Sequence, residues 1–147
     1  MKLPDTFLAE LSEAAAVAKL DANDTVRALS SLVAEADCRD FMIWTGPAYE
    51  GDDLLLDVFV LTDLCLFNYW QRSTGRSAVS CTFLESIGAL SLYSMDDELR
   101  PLVLNFSSSG DSDFGQVFGK KEDAERMHAF LRAIISARTV AKRPVRG

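Results

Sequence analysis

The chain is poor in the residues that most often carry chemistry. It has one histidine, His128, and three cysteines, Cys38, Cys65 and Cys81, in 147 residues. Three widely spaced cysteines make neither a disulfide framework nor a zinc-ligand pattern, and there is no second histidine to complete a metal site. Glycine is sparse where a phosphate loop would need it, because Gly75, Gly88 and Gly110 stand alone. Apolar runs break at charged residues well short of the roughly 20 needed to span a bilayer. The N-terminal MKLPDTFLAELSE carries Asp5, Glu10 and Glu13 and lacks the apolar core of a secretory signal, so a cytoplasmic protein is expected.

Positive charge is also scarce, and it is unevenly placed. The formal net charge is -7, and no Asp or Glu follows Glu125. Setting aside Arg138, Lys142, Arg143 and Arg146 leaves 11 basic against 22 acidic residues, a net -11. An acidic body repels phosphate polymers and anionic surfaces, which argues against nucleic acid as a partner. The basic tail, residues 139–147, is read as a frayed, solvated end.

What is present is a good supply of periodic apolar sequence, 48% hydrophobic overall, enough for one domain spanning 1–147. Its centre is LLLDVFVLTDLCLFNYW, Leu54 to Trp70: two β-prone runs pinched at Thr62-Asp63, a hairpin signal. Leu56, Val58 and Val60 share one face of the first arm, and Asp57, Phe59 and Leu61 the other. Both faces are apolar near the turn, so each needs a cover. Asp57 is assigned to the wetter face.

The cover is expected from residues 1–38, a helical hairpin. Residues 3 to 19 carry Phe7, Leu8, Leu11, Ala15 and Ala18 on one face. Asn23 or Asp24 is expected to cap a second helix with Val26, Leu29, Val33 and Ala36 in line. From Asp40 the period changes to two. Phe41 to Trp44 reads as a short strand stopped by Gly46-Pro47. A polar turn at Glu50 to Asp53, the central hairpin and a loop from Gln71 to Ser77 follow. Val79, Cys81 and Phe83 alternate with Ser80 and Thr82, a strand with one wet face. Ile87 to Tyr93, Leu102 to Phe106 and a short piece at Val117-Phe118 complete about seven strands. Ser107 to Asp113 is a polar, flexible loop.

Lys121 to Arg138 is the clearest helix, with Met127, Phe130, Leu131, Ile134 and Ile135 in an uncharged stripe. Burying that stripe at about 1.5–3 kcal/mol per large side chain makes it a major stabilising contact. Acids at its start and Arg138 at its end suit the helix dipole.

Seven antiparallel strands closed by a C-terminal helix resemble the pleckstrin-homology (PH) superfold, over residues 40–138. Three local stretches carry the resemblance. Val60-Leu61-Thr62-Asp63-Leu64-Cys65-Leu66 resembles the second-to-third strand turn of PH and GRAM-type domains. Phe83-Leu84-Glu85-Ser86-Ile87 is similar to their fourth-to-fifth strand link. Phe130-Leu131-Arg132-Ala133-Ile134 resembles the end helix, with Phe130 where eukaryotic members usually carry Trp. The resemblance implies an α+β, PH-like barrel of bacterial type preceded by the helical hairpin, and it implies a binding rather than a catalytic role. A secretion-chaperone-like acidic dimer is the alternative, disfavoured because Ser77 to Phe106 reads as strand where such proteins have a middle helix.

The residues that lipid-binding relatives use are inverted here. Trp44 to Asp53 contains no Lys or Arg and three acids. Arg72 and Arg76, with Lys120 and Lys121, are the remaining candidates for an anion patch, and with the basic tail they define a peripheral, anionic-lipid reading. Trp44 and Trp70, at strand ends, are the candidate partner-binding aromatics. Cys65 and Cys81 are read as core residues facing one another on adjacent strands. His128 is read as half-exposed. Asp111-Ser112-Asp113 and Asp96-Asp97-Glu98 lack the length and glycine placement of a calcium loop. The expectation is a non-enzymatic module with no cofactor or metal, binding a protein or peptide or forming a homodimer.

Overall fold

In the computed structural model, residues 2–32, 36–48, 51–108 and 114–141 are described. Helices α1 (Asp5–Val17) and α2 (Ala22–Ser30) open the chain. Strands β1 (Asp40–Pro47), β2 (Leu54–Leu61), β3 (Cys65–Arg72) and β4 (Ser77–Phe83) form one antiparallel sheet in that order. Strands β5 (Ile87–Ser94), β6 (Leu102–Ser108) and β7 (Phe114–Gly119) form a second, and α3 (Ala124–Ala141) ends the fold. The architecture is α+β. The expected barrel does not close: among the described residues no ladder joins the two sheets, which leaves β1 and β4 as edges of the first and β5 and β7 as edges of the second. Residues 77–106 contain strands and one 3-10 turn, Leu84–Ser86, with no middle helix.

Both faces of the central hairpin are covered. Leu56, Val58, Val60, Phe67 and Tyr69 pack with Phe7, Leu11, Ala15, Ala18 and Leu29 of the helical pair. The Phe7 ring stands edge-on to Phe41 at 5.1 Å. The opposite face, through Met42, Phe59, Leu61 and Leu66, meets Leu104, Phe106 and Val117 of the second sheet, with Met127, Phe130 and Ile134 of α3. Arg126 ties the two halves together. Its guanidinium lies 4.7 Å over the Phe41 ring and bonds the Glu10 carboxylate at 2.7 Å.

Local chemistry explains most boundaries. The cap of α2 is Asp21, accepting from Asn23 N–H at 2.9 Å, rather than Asn23 or Asp24. The β2–β3 turn is held by Thr62, whose hydroxyl oxygen accepts from Leu64 N–H at 3.3 Å and Cys65 N–H at 3.2 Å. Strands β1 and β7 include glycines, and β1 runs through the Gly46 expected to stop it. At Gly46 a Cβ would lie 2.6 Å from the Trp44 ring, so the glycine seats that indole and β1 continues to Pro47. At Gly115 the Phe106 ring occupies the same kind of space, and β7 spans both Gly115 and Gly119.

The loop expected at Gln71 to Ser77 is shorter, because β3 runs to Arg72 and β4 starts at Ser77. In α3 the buried line is Met127, Phe130, Ile134 and Ala137. Leu131 is half-buried and Ile135 is exposed, so the stripe is narrower than expected and one of its large side chains faces out. Val33, Glu50, the Asp111-Ser112-Asp113 motif and tail residues 142–147 lie outside the described residues.

Candidate interaction site

The free edge of β5 runs beside α3. Met95 N–H donates to Pro101 C=O at 2.8 Å, which turns the odd-numbered backbone groups of β5 towards β6. Alternation along an antiparallel strand then leaves Leu90 and Leu92 with N–H and C=O directed to the open edge. A β-bulge between Ile87 and Ala89 breaks the ladder at Gly88. There Arg138 Nε reaches across from α3 and donates to the Ile87 carbonyl at 2.7 Å. A shallow groove of about 120 Å³ lies between the two elements, lined by Ile87, Gly88, Ala89, Leu90, Ile135, Arg138 and Thr139. One wall presents the outward backbone groups of β5, the other the exposed Ile135, and the Arg138 guanidinium closes one end.

The candidate aromatics fare differently. Trp44, expected to be open to a partner, is buried, with 4% of its surface exposed. Its ring meets Phe118 at 5.5 Å, the Arg100 guanidinium sits 4.8 Å from it, and its N–H donates to Leu99 C=O at 3.3 Å. Nothing in the sequence flagged Arg100, a buried cation that also donates to Pro47 C=O. Trp70 remains half-buried on β3, in register with Asp57 and Ala78.

The four candidate cations fall in two places. Arg72 and Arg76 flank the β3–β4 turn, where Arg72 pairs with Asp53 at 3.7 Å. Lys120 and Lys121 precede α3. Lys120 lines a cleft of about 410 Å³ together with Glu10, Glu13, Glu122, Asp123 and Arg126, so carboxylates rather than cations dominate its surroundings.

Asp57 overturns its assignment to a wet face. It is buried, because β2 has a helical layer on one side and the second sheet on the other. Asn68 Nδ2 donates to its carboxylate at 2.7 Å and to Val58 C=O at 3.1 Å. Burial pushes the Asp57 pKa up to about 7, against the opposing pull of that hydrogen bond. Cys65 is buried as expected and lies diagonal to Cys81 across β3 and β4, but Cys81 is exposed. Burial raises the Cys65 thiol to about 12 and the Cys38 thiol to about 11. His128 is fully on the exposed side of α3. Among the described residues no group of His, Cys, Asp or Glu could hold a metal ion, and no helix is long and apolar enough to cross a membrane.

Comparison with protein-family models, with curated proteins and with solved structures returned no match.

Proposed function

We propose that this chain is a non-catalytic interaction module with a PH-like strand order, which takes an extended peptide or protein segment as an added strand on β5. The four-plus-three antiparallel arrangement with a helix packed across it supports the PH-like reading, in an unclosed form. The observation that carries the binding role is the free β5 edge beside α3, with Leu90 and Leu92 offering backbone groups and Ile135 offering 49% of its surface. Backbone pairing supplies affinity in such a groove, and the side-chain positions along it supply selectivity. Attachment to anionic lipid has less behind it, since Arg72 already pairs with Asp53 and Lys120 stands among acids.

The test is selection of extended peptides from a random display library on the full chain, followed by mapping with amide exchange. Bound peptides are expected to protect the Leu90 and Leu92 amides, and Ile135→Glu to weaken binding by roughly tenfold or more. Peptides that bind but leave those amides unprotected would move the site elsewhere. Co-sedimentation with anionic vesicles at low salt that survives Ile135→Glu would favour the lipid reading instead.

A further inference from the structure

Another sheet edge, β4, has a different character from β5. All of Ser77 to Phe83 is exposed except Thr82, which is half-buried, so the strand is open on both faces as well as along its rim. The expected single wet face is therefore corrected. Helices α1 and α2 cover β1 to β3 and stop short of β4, so the apolar face formed by Cys65, Phe67 and Tyr69 runs out from under them onto Val79, Cys81 and Phe83. Val79 is 43% exposed and Phe83 59% exposed. Natural edges are usually blunted by a charge, a proline or a bulge. SAVSCTF contains no charge and no proline, and its register with β3 is unbroken.

Two hydrogen bonds fix which backbone groups are open. Arg72 N–H donates to Arg76 C=O at 2.7 Å, and Leu84 N–H donates to Leu64 C=O at 3.0 Å. Even-numbered residues of β4 thus face β3, and the N–H and C=O of Ser77, Val79 and Cys81 and the N–H of Phe83 face outward and open, while the outward Phe83 C=O accepts from the Ser86 hydroxyl at 2.8 Å and keeps one lone pair for a partner. These outward positions also carry the apolar side chains.

We infer that β4 pairs with β4 of a second copy of this chain, antiparallel about a two-fold axis at Cys81, to form a continuous eight-stranded sheet. This surface is distinct from the β5 groove, and its test is independent of that site. Three features select a second copy as the occupant. In this register Val79 lies opposite Phe83 of the partner and Cys81 opposite its own counterpart, while Ser80 lies opposite Thr82, so apolar meets apolar and hydroxyl meets hydroxyl. The strand is uncharged, so a chain of net charge -7 approaches itself there without local repulsion. It is also bracketed by exposed Arg76 before it and exposed Glu85 after it, and the antiparallel arrangement brings the cation end of one strand to the anion end of the other. A two-fold pairing closes, because each copy spends the same edge. A one-strand contact is small beside the roughly 1,200–2,000 Å² of most stable interfaces, so a dissociation constant on the order of micromolar is expected.

The experiment is sedimentation velocity of the full chain under reducing conditions, over concentrations from about 1 to about 500 µM to bracket that constant. The mass is expected to rise from the 16.2 kDa monomer to twice that value and no further. Cys81→Lys and Cys81→Glu each change an exposed side chain and place like charges opposite one another across the axis, so each is expected to weaken the dimer by roughly tenfold or more. Mixed in equal amounts, the two variants are expected to associate again as a Lys–Glu pair. Circular dichroism of each variant checks that the fold is kept. A wild-type monomer at the highest concentration overturns the inference. So does a dimer indifferent to both variants, a series of larger oligomers, or folded variants that fail to rescue one another.

Discussion

The Asp57 carboxylate accepts a 2.7 Å hydrogen bond from the Asn68 amide, diagonally across the β2–β3 pair, inside the space between the sheets. It is the one charged side chain in an otherwise apolar run, and its neighbours in register are Trp44 and Trp70. Burial carries its pKa from 3.8 to about 7. The folded state therefore holds a proton that the unfolded state releases. Protonation favours folding, so this contribution to stability is full below about pH 4, falls as pH rises towards 7 and is lost above that.

Replacing Asp57 with Asn keeps an acceptor for Asn68 and removes the buried charge. The variant is expected to melt higher than the wild type at pH 8, by a few degrees or more, with the gap shrinking towards pH 4. Thermal melts across that range decide it. Parallel curves for the two proteins would mean that Asp57 does not titrate in the folded chain.

The helical pair should be integral to the domain. Leu11 is fully buried in the core that the helical pair shares with β1, β2 and β3, so Leu11→Ala is expected to cost about 2–5 kcal/mol in urea unfolding. Removing residues 2–38 uncovers Leu56, Val58, Val60, Phe67 and Tyr69 together and is expected to leave an aggregating chain. A truncated protein with unchanged solubility and melting temperature would contradict that covering role.

Gly46 should resist substitution although its backbone is ordinary strand. An added methyl meets the Trp44 ring at 2.6–2.7 Å and pushes it off Phe118 and Arg100. Gly46→Ala in a Trp70→Phe background is expected to shift Trp44 emission to the red and to lower stability by about 1–3 kcal/mol. Unshifted emission would show that the indole has room to spare.

The three thiols should label in a fixed order. Cys81 is exposed, whereas burial raises Cys38 to about 11 and Cys65 to about 12, leaving little thiolate at neutral pH. Alkylation with iodoacetamide at about pH 7.5 is expected to modify Cys81 well before the others, read by peptide mass spectrometry. Equal rates would mean that the interior opens on the labelling timescale.

The sequence by itself determined the elements and the faces they carry. Period-two alternation marked the strands from Asp40 onward. The 3–4 spacing marked α1 and α3, and the apolar character of both faces of Leu54 to Trp70 required two covers. Tertiary structure alone decided what lies opposite each face, because periodicity says which side chains share a side and nothing about how far a covering layer reaches. Asp57 read as wet by its charge, yet its strand is the one roofed on both sides. Val79 and Phe83 read as half-buried by their alternation, yet the helices end over β3 and leave them open. Trp44 read as available to a partner by its place near a strand end. A glycine two residues on lets its ring fold down beside Phe118, under a cation 56 residues away in the chain.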